Sequence, residues 1–378
     1  MNIAFISDQF YPRTSADSEQ IINSLAALGK LSDVTLLSAK YANQAAATTS
    51  TIQDYYGVEC SFKLDFISHL FPGIRGLEKI LFALKAAFFA RNKNFDLVYT
   101  RNIPVVISII FFTRLPIVFE SYRPWPSRNW LSRWFFKKME SQKRFLGVVL
   151  HSNFAGKSFK EVGFKDERLL LAHNAFDFSA IEESNSGEIR EKFELPTDQL
   201  ITTYSGRVNE SKGLLQMLEL AGTFKDEFFL IIGSEKRGAI EEKAEELKNV
   251  KVLGWQDKKT VFSLLQASDI LYLPPTLKSR DVSKNTVLPL KTFIYKASGR
   301  SIFGPVSEDV CEVLEHDVNA YLVEPDNWEE EKKGFQVLVK DEKLRVRLGE
   351  KAKEEMKSLS WDSRAEGILK FINNRKKG

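Results

Sequence analysis

Short apolar runs alternate with helical stretches along this chain, and this alternation restricts its fold more than any other feature. The run at 2–7 (NIAFIS) has the length and composition of a buried parallel strand. A loop containing Pro12 follows, then a helical pattern at 19–31 and a second apolar run at 33–38. The order strand, loop, helix, strand begins a doubly wound parallel sheet, so we predict an α/β fold.

The alternation continues to about residue 150 and begins again after a polar segment. Further strands are predicted at 96–100, 116–120, 147–151, 200–205, 228–233, 250–253 and 270–273, with a helix at 213–221. The polar segment 177–199, which contains Pro196, favours a domain boundary. We therefore predict an N-terminal Rossmann-like domain at 1–178, a C-terminal one at 179–358, and a helix at 359–378 that packs back on the N-terminal domain. Two such domains are expected to face each other across a cleft.

Composition and charge exclude several classes of protein. The 378 residues carry a net charge of +4, which is too small for a dedicated nucleic-acid-binding protein, so we expect no nucleic-acid partner. The two cysteines, Cys60 and Cys311, are too few for a disulfide framework and favour a reducing, cytoplasmic compartment. We expect no signal peptide, and the most apolar run, 105–112, is too short to cross a membrane.

The segment 204–213 (YSGRVNESKG) follows a predicted strand and opens a predicted helix, where open parallel sheets bind their ligands. Gly206 permits a tight turn and a close backbone approach, and the helix N-terminus offers free N–H groups. Arg207 and Lys212 add two cations at the same strand end, where they would stabilise the charge on a departing diphosphate. The alternative is a surface loop whose two cations are only solvated.

Motifs spread over the whole chain occur in the order typical of one family. They are IAFISDQFYP, SGRVNESKG, VLGWQDKKTVFSLLQASDILYLPP, LPLKTFIYKASG, NAYLVEPDN and WDSRA. On these segments the chain resembles glycosyltransferase family 4, retaining enzymes of the GT-B fold, and within it bacterial transferases that build exopolysaccharides and envelope glycans. The resemblance implies a nucleotide-sugar donor bound mainly by the C-terminal domain, an acceptor bound mainly by the N-terminal domain, and no metal ion or other cofactor. It also implies that Arg207 and Lys212 bind the donor diphosphate and act in catalysis.

The resemblance assigns further positions to donor binding. Gly233 matches a small residue beside the nucleotide, and Gly254 and Trp255 match a turn whose backbone reads the base. For Trp255 the alternative is simple packing at the rim of the domain. The segment 286–291 matches the donor loop, whose backbone N–H groups approach phosphate and sugar. The donor-binding residues predicted in this loop and in the helix after it are Thr286, Val287, Leu288, Leu290, Lys291 and Ile294.

Several positions depart from the residues usual in the family. Ile294 replaces a glutamate that accepts hydrogen bonds from the ribose, so nucleotide binding should lose roughly 1–3 kcal/mol unless another acceptor substitutes. Thr286 replaces a second common acid, and the first loop has Ser15 and Ala16 in place of a glycine pair. Tyr122 replaces a histidine near the reacting sugar. We place Tyr122 in the predicted catalytic site as a hydrogen-bond donor. The alternative is that Tyr122 is an aromatic residue that only lines the cleft.

Other catalytic arrangements find little support. The sequence has no HExxH, no paired CxxC and only four histidines, so a metal cluster is not expected. Asp8 and Glu120 both follow predicted strands, but nothing pairs them as the two carboxylates of a glycosidase. We therefore expect Glu120 to accept hydrogen bonds from nearby backbone N–H groups.

A basic and aromatic segment spans 123–144, where seven Lys or Arg residues accompany a single acid, Glu140. Such a segment can lie on an anionic membrane with its aromatic rings inward and its cations at the headgroups. Alternatively, its aromatic residues belong to the core and its cations form a solvated face. The residues predicted for an acceptor or membrane surface are Arg123, Trp125, Arg128, Trp130, Arg133 and Trp134.

The sequence thus predicts a retaining transferase that moves a hexose from a nucleotide diphosphate sugar, a UDP-sugar such as UDP-glucose, to a glycan or lipid-linked glycan. It is expected in the cytoplasm, with peripheral contact on the inner face of the membrane. The alternative is a non-catalytic protein of this fold that serves as scaffold or regulatory partner of an active transferase. Ile294 and Tyr122 favour that alternative, whereas Arg207 and Lys212 argue against it. A sugar-nucleotide epimerase of this fold would need an acid pair that we cannot place.

Overall fold

The structure is a computed structural model that describes residues 1–40, 46–68, 75–177, 184–277 and 288–377. It divides the chain into two compact units. Unit 1 comprises Met1–Asn174 together with Ser360–Gly378, and unit 2 comprises Ala175–Leu359. The last segment of the chain therefore belongs to the same unit as the first.

Unit 1 is built on a sheet of parallel strands. They are β1 (Asn2–Ser7), β2 (Asp33–Lys40), β3 (Lys63–Ser68), β4 (Leu97–Thr100), β5 (Ile117–Ser121), β6 (Phe145–Leu150) and β7 (Leu169–Leu171). Their order in the sheet is β3-β2-β1-β4-β5-β6-β7. The direction of winding reverses between β1 and β4, and doubly wound sheets bind ligands at the carboxyl ends of strands beside such a reversal.

Helices cover both faces of this sheet. They are α1 (Ala16–Leu31), α2 (Thr49–Tyr56), α3 (Arg75–Arg91), α4 (Ile103–Phe112), α5 (Trp130–Glu140), α6 (Asn153–Lys160) and the C-terminal α14 (Trp361–Lys377). One apolar cluster packs α3, α4, α5 and α6 on one face, and a second packs α1, α2 and α14 on the other. Ala4 and Ile6 join the first cluster while Ile3 and Phe5 join the second, because alternate residues of a strand point to opposite faces.

Unit 2 repeats this architecture with a smaller sheet. Its strands are β8 (Ile201–Ser205), β9 (Phe228–Ser234), β10 (Val250–Gly254), β11 (Ile270–Tyr272), β12 (Ser301–Pro305) and β13 (Tyr321–Val323), in the order β10-β9-β8-β11-β12-β13. Its helices are α7 (Ser186–Lys192), α8 (Leu214–Thr223), α9 (Ala239–Glu245), α10 (Lys258–Gln266), α11 (Lys291–Ser298), α12 (Trp328–Lys340) and α13 (Glu342–Met356). The winding reverses between β8 and β11, so the segment after β8 lies at the expected ligand edge.

The predicted α/β fold class is confirmed. Each of the nine apolar runs predicted as strands coincides with an observed strand, with ends that agree within two residues. The sequence analysis did not predict β3, β7, β12 or β13. Three of these, β3, β7 and β13, lie at sheet edges, where a strand can be short or carry polar residues and still pair.

A buried carboxylate joins α14 to the rest of unit 1. The Glu120 side chain, at the end of β5, is 1% exposed. Its Oε1 accepts hydrogen bonds from Arg364 Nη2 at 2.7 Å, Arg101 Nη2 at 2.8 Å and His151 Nε2 at 2.6 Å. Arg364 also donates from Nη1 to Ser24 Oγ of α1 at 2.7 Å. Five elements of the unit therefore meet around one carboxylate.

The charges in this cluster are balanced by their neighbours. Burial alone would raise the pKa of Glu120, but Arg101, Arg364 and the hydrogen bond from His151 hold that pKa well below its ordinary value. Burial lowers the pKa of His151 to about 4 despite its contact with Glu120. His151 is therefore neutral at pH 7, and its Nε2 carries the proton donated to Glu120.

We expect Arg364→Met to lower the free energy of unfolding by roughly 3–5 kcal/mol, because it leaves a buried carboxylate with one fewer compensating charge. Urea denaturation followed by circular dichroism measures this change. The matched control is Asp362→Asn, which breaks the exposed pair between Lys30 and Asp362 at 3.0 Å and should cost no more than about 1 kcal/mol. Equal effects of the two substitutions would contradict a structural role for the buried ion pair.

Candidate functional site

The backbones of two neighbouring strand ends touch at the ligand edge of unit 2. Gly206 follows β8 with φ 133°, and Gly233, near the end of β9, has φ 113°. The Gly206 N–H donates to the Ile232 carbonyl at 2.9 Å, and a Cβ on Gly233 would lie 2.5 Å from the Gly206 carbonyl oxygen. Only glycine fits at Gly233, so β9 supports the segment after β8 through a backbone contact.

That segment leads into a helix N-terminus with free donors. After a short 3-10 turn at Glu210–Lys212, Gly213 adopts a left-handed conformation with φ 72° and precedes α8. A Cβ on Gly213 would lie 2.5 Å from Thr276 Cγ2, so this position also requires glycine. Among the described residues, no side chain caps the first turn of α8. Its N–H groups remain available to an anion, as sequence analysis predicted for a phosphate site.

Three cations occur around this edge. Arg207 is exposed and Lys212 is half-buried. The third, Lys291, begins α11 and places its Nζ 3.7 Å from the centroid of the Tyr204 ring. Burial, and then the charge of Lys212, lower the pKa of Lys291 well below its ordinary value. The sequence analysis assigned Lys291 to the donor loop through its backbone, and it did not foresee where the side chain points.

The other residues predicted to bind the donor have different surroundings. Gly254 ends β10, where a Cβ would make only an ordinary contact at 3.8 Å with the Ser234 carbonyl oxygen, and the N–H of Trp255 donates to that carbonyl at 3.1 Å. The Trp255 ring is 56% exposed, which leaves it free to contact a ligand. Leu288 is buried in a core cluster, and Leu290 directly precedes α11. Thr286 and Val287 lie outside the described residues.

Ile294 points toward the interior of unit 2. Its half-buried side chain packs against two core clusters, one containing Leu265 and Tyr295 and the other containing Phe293 and Met356. An isoleucine in these surroundings contributes to packing and offers no hydrogen-bond acceptor from its side chain. The Ile294 side chain therefore cannot accept the ribose hydrogen bonds that the glutamate usual in the resembling family accepts.

In unit 1, the structure corrects the role expected for Glu120. Backbone N–H groups were expected as its partners, but the hydrogen bonds come from the side chains of Arg101, His151, Arg364 and, at 3.3 Å, Gln20. A carboxylate as deeply buried as this one requires compensating positive charge, which backbone groups do not supply. Arg101 and His151 immediately follow β4 and β6, the two strands that flank β5, so their positions beside Glu120 could have been predicted from the strand order. Arg364 could not, because it lies in α14, far from Glu120 in sequence.

Tyr122 lies next to this cluster at the end of β5. It is half-buried, with its ring centroid 6.3 Å from that of His151. The Arg123 guanidinium lies 5.1 Å from the Tyr122 ring centroid. Both residues therefore lie at the carboxyl edge of the sheet.

The basic and aromatic segment divides into a core face and an exposed face. Phe136 is fully buried, and Phe135 and Trp125 pack against the same core cluster. On the exposed face of α5, Trp130 is 74% exposed and Trp134 is 57% exposed. The cations on or beside this face are Arg128, Arg133, Lys137 and Lys138. Arg128 stacks on Trp125 at 5.0 Å, and Arg133 pairs with Glu161 at 3.3 Å.

A second exposed apolar surface lies on α3 and α4 of unit 1. Phe111 is 75% exposed, which is unusual for so large an apolar side chain. The rings of Phe88 and Phe112, both exposed, lie 5.8 Å apart and join the two helices. Arg91 and Arg114 are exposed just beyond the C-terminal ends of this surface.

In the part of the chain that the structure describes, no helix is both long enough and apolar enough to cross a membrane. The same residues contain no group of three or more His, Cys, Asp or Glu side chains arranged to hold a metal ion.

Comparison with known proteins gives a family match to one unit. Residues 185–355, which lie within unit 2 and form less than half of the chain, match the family model of glycosyl transferases group 1. A search among curated protein sequences finds no match. The phosphate-site segment, Trp255 and α11 all fall inside the matched residues.

Solved structures resemble the chain over its full length. Anabaena Alr3699/HepE in complex with UDP-glucose is 14% identical, with 99% of this chain and 100% of that chain covered and a TM-score of 0.75. Sucrose-phosphate synthase from Thermosynechococcus elongatus is 14% identical, with 99% and 98% covered and a TM-score of 0.77. WaaG, a glycosyltransferase involved in lipopolysaccharide biosynthesis, is 12% identical, with 97% and 98% covered and a TM-score of 0.69. These neighbours have the GT-B fold, which confirms the predicted fold class.

We expect Gly233→Ala to destabilise the protein by about 1–3 kcal/mol, since alanine is strained at this positive φ and its Cβ would collide with the Gly206 carbonyl. Thermal unfolding and urea denaturation measure the loss. Gly254→Ala is the control on the neighbouring strand, because the nearest atom to its Cβ would lie at 3.8 Å. A similar, small effect at both positions would rule out the backbone contact as a constraint on this edge.

Proposed function

We propose that this chain is a retaining, metal-independent glycosyltransferase that moves a hexose from a UDP-sugar, such as UDP-glucose, to a glycan or lipid-linked glycan. The observation that carries the proposal is the strand end at Gly206, where Arg207, Lys212 and the uncapped first turn of α8 occur together. Support comes from the group 1 family match over unit 2 and from the UDP-glucose complex of a structural neighbour. A role in glycan assembly is supported by the likeness to WaaG.

In the proposed reaction, the bond between the sugar C1 and the β-phosphate oxygen breaks and UDP departs. The acceptor oxygen bonds to C1 on the same face of the sugar, and its proton passes to an oxygen of the departing phosphate. Arg207, Lys212 and the α8 N–H groups stabilise the charge that grows on that diphosphate. His151 is unsuited to act as the base, because its Nε2 already donates to Glu120 and its pKa is lowered to about 4 by burial.

We expect Arg207→Ala and Lys212→Ala each to lower kcat by roughly 100- to 1,000-fold, because each removes a group that stabilises the leaving charge. The measurement is release of UDP from UDP-glucose with and without acceptor glycans. Arg237→Ala is the control, since this arginine of unit 2 is 67% exposed and pairs with Glu245. Wild-type rates in both site variants would refute the proposed role of the two cations.

The second candidate is a non-catalytic partner of an active glycosyltransferase. The observation in its favour is the apolar packing of Ile294, at a position where the resembling family uses an acid to hold the ribose. Calorimetry with UDP, GDP, ADP and their glucose conjugates separates the two candidates. Tight binding of one nucleotide, lost in Arg207→Ala, supports the transferase, and binding of none supports the partner role.

We further propose that unit 1 contacts an anionic membrane surface through α5 and through the exposed apolar surface of α3 and α4. On α5, Trp130 and Trp134 are one turn apart and are accompanied by Arg133, Lys137 and Lys138. Aromatic rings that enter the headgroup region beside several cations are typical of helices lying in a membrane interface. Such contact would bring a lipid-linked acceptor to the enzyme.

We expect the protein to float with vesicles that contain phosphatidylglycerol at low salt, and to do so less with neutral vesicles or at high salt. The double variant Trp130→Ser and Trp134→Ser should bind at least tenfold more weakly, since each large apolar side chain contributes about 1.5–3 kcal/mol on burial. Val337→Ser on α12, which is 40% exposed, serves as control. Absence of flotation at low salt would end the membrane proposal.

A further inference from the structure

The Lys291 side chain reaches from the start of α11 to the end of β8. Its Nζ lies 3.7 Å from the centroid of the Tyr204 ring, and a Cβ on Gly206 would lie 2.9 Å from that same nitrogen. The ammonium group therefore lies beside the glycine at which the strand end is open to a ligand. In the family that the sequence resembles, only the backbone of this loop was expected to approach the donor.

Among the described residues, the side chains near Lys291 supply no negative charge. The Tyr204 hydroxyl donates to the Arg207 carbonyl at 3.0 Å, and the Tyr295 hydroxyl, one turn along α11, accepts from the Ser205 N–H at 2.8 Å. Within the same residues, the charged group that acts on Lys291 is Lys212, which has the same sign. Among the hydrogen bonds and ion pairs of the described residues, Lys291 has no carboxylate or other acceptor. Its one favourable contact is with the π face of Tyr204.

An ammonium group in such surroundings is incomplete without an anion. Burial and the repulsion from Lys212 both disfavour the charged form of Lys291 while the site is empty, which lowers its pKa. A diphosphate next to Gly206 would reverse that balance, because an opposite charge within a few ångströms favours the ammonium form. Within the described part of the chain this cation has no anionic partner, and an anionic ligand would supply one.

We propose that the side chain of Lys291 is a third cation for the donor diphosphate, contacting the phosphate beside Gly206 as an ammonium group. This inference rests on the proposed function, because it takes the ligand to be a nucleoside diphosphate sugar. At a pH between the pKa of Lys291 in the empty site and its pKa in the complex, donor binding then takes up a proton from solvent at Lys291, and departure of the nucleoside diphosphate releases it. The Lys291 side chain thus adds positive charge to a site in which Ile294 replaces the glutamate that is usual in the resembling family.

The proposal gives a pH dependence of donor affinity with a defined sign. Lys291 has a lowered pKa in the empty site and a higher pKa in the complex. Affinity is therefore greatest below the pKa of the empty site and falls as pH rises between the two pKa values, by up to tenfold for each pH unit. Above the pKa of the complex, the affinity levels off because neither state carries the proton.

The test is calorimetric titration of the full chain with UDP-glucose, whose phosphates carry fixed charges near neutral pH. Titration at one pH in two buffers with different heats of ionisation gives the number of protons taken up on binding. We expect net proton uptake by the wild-type protein. Lys291→Met, which keeps the apolar stem, should bind at least tenfold more weakly without this uptake. Lys291→Arg should retain more affinity than Lys291→Met, also without uptake, because arginine is always charged.

The controls separate this inference from the proposed function. Lys333→Met removes an exposed lysine of α12 and should leave affinity and proton uptake unchanged. Wild-type affinity and uptake in Lys291→Met, or uptake that persists in Lys291→Arg, would overturn the role of Lys291 while leaving the transferase proposal intact. If the wild-type protein binds no nucleotide sugar, inorganic pyrophosphate becomes the probe. Pyrophosphate binding that Lys291→Met abolishes would then support the cation site without the transferase, and no pyrophosphate binding would refute both.

Discussion

A single buried carboxylate links several helices and strands of unit 1. Glu120 is buried at the end of β5, and a charge in that position is tolerated only with close positive partners. Arg101 comes from the neighbouring strand end, while Arg364 comes from a helix that is 244 residues away in sequence. Through Ser24, Arg364 also fixes α14 to α1. The apolar side chains of Ile368 and Ile372 pack α14 against the sheet, and the ion pair adds a specific link from α14 to the end of β5.

In unit 2, by contrast, a group of charges lacks partners of opposite sign. At the edge after β8, Arg207, Lys212 and Lys291 have no carboxylate partner among the described residues. The glycines at 206 and 233 bring two backbones into contact at the same edge. Burial disfavours a charged group. Glu120 stays charged because arginines lie beside it, whereas Lys291 has no such partner of opposite charge and its pKa is lowered. Charge in unit 1 is compensated and links elements of the fold, whereas the cations at this edge of unit 2 are those that we propose to bind an external anion.

The sequence predicted most of the fold because parallel strands buried on both faces appear as continuous apolar runs. Edge strands such as β3 and β13 escaped prediction because pairing on one side does not demand such a run. The candidate phosphate site could be proposed from Gly206, Arg207 and Lys212, since all three lie in one short segment. The contact of Lys291 with Tyr204 and the salt bridge from Arg364 could not, because each joins residues far apart in the chain. Tertiary packing alone determines such pairs.

The division of the chain affects the order in which it can fold during synthesis. Domains generally fold as they leave the ribosome, the N-terminal one first. Here the apolar cluster on one face of the first sheet contains Ala365, Ile368 and Ile372, which are translated after all of unit 2. Until they emerge, Glu120 lacks Arg364, and the part of this face that α14 covers stays exposed beside α1 and α2. Unit 1 can therefore be completed only after the whole of unit 2 has been synthesised.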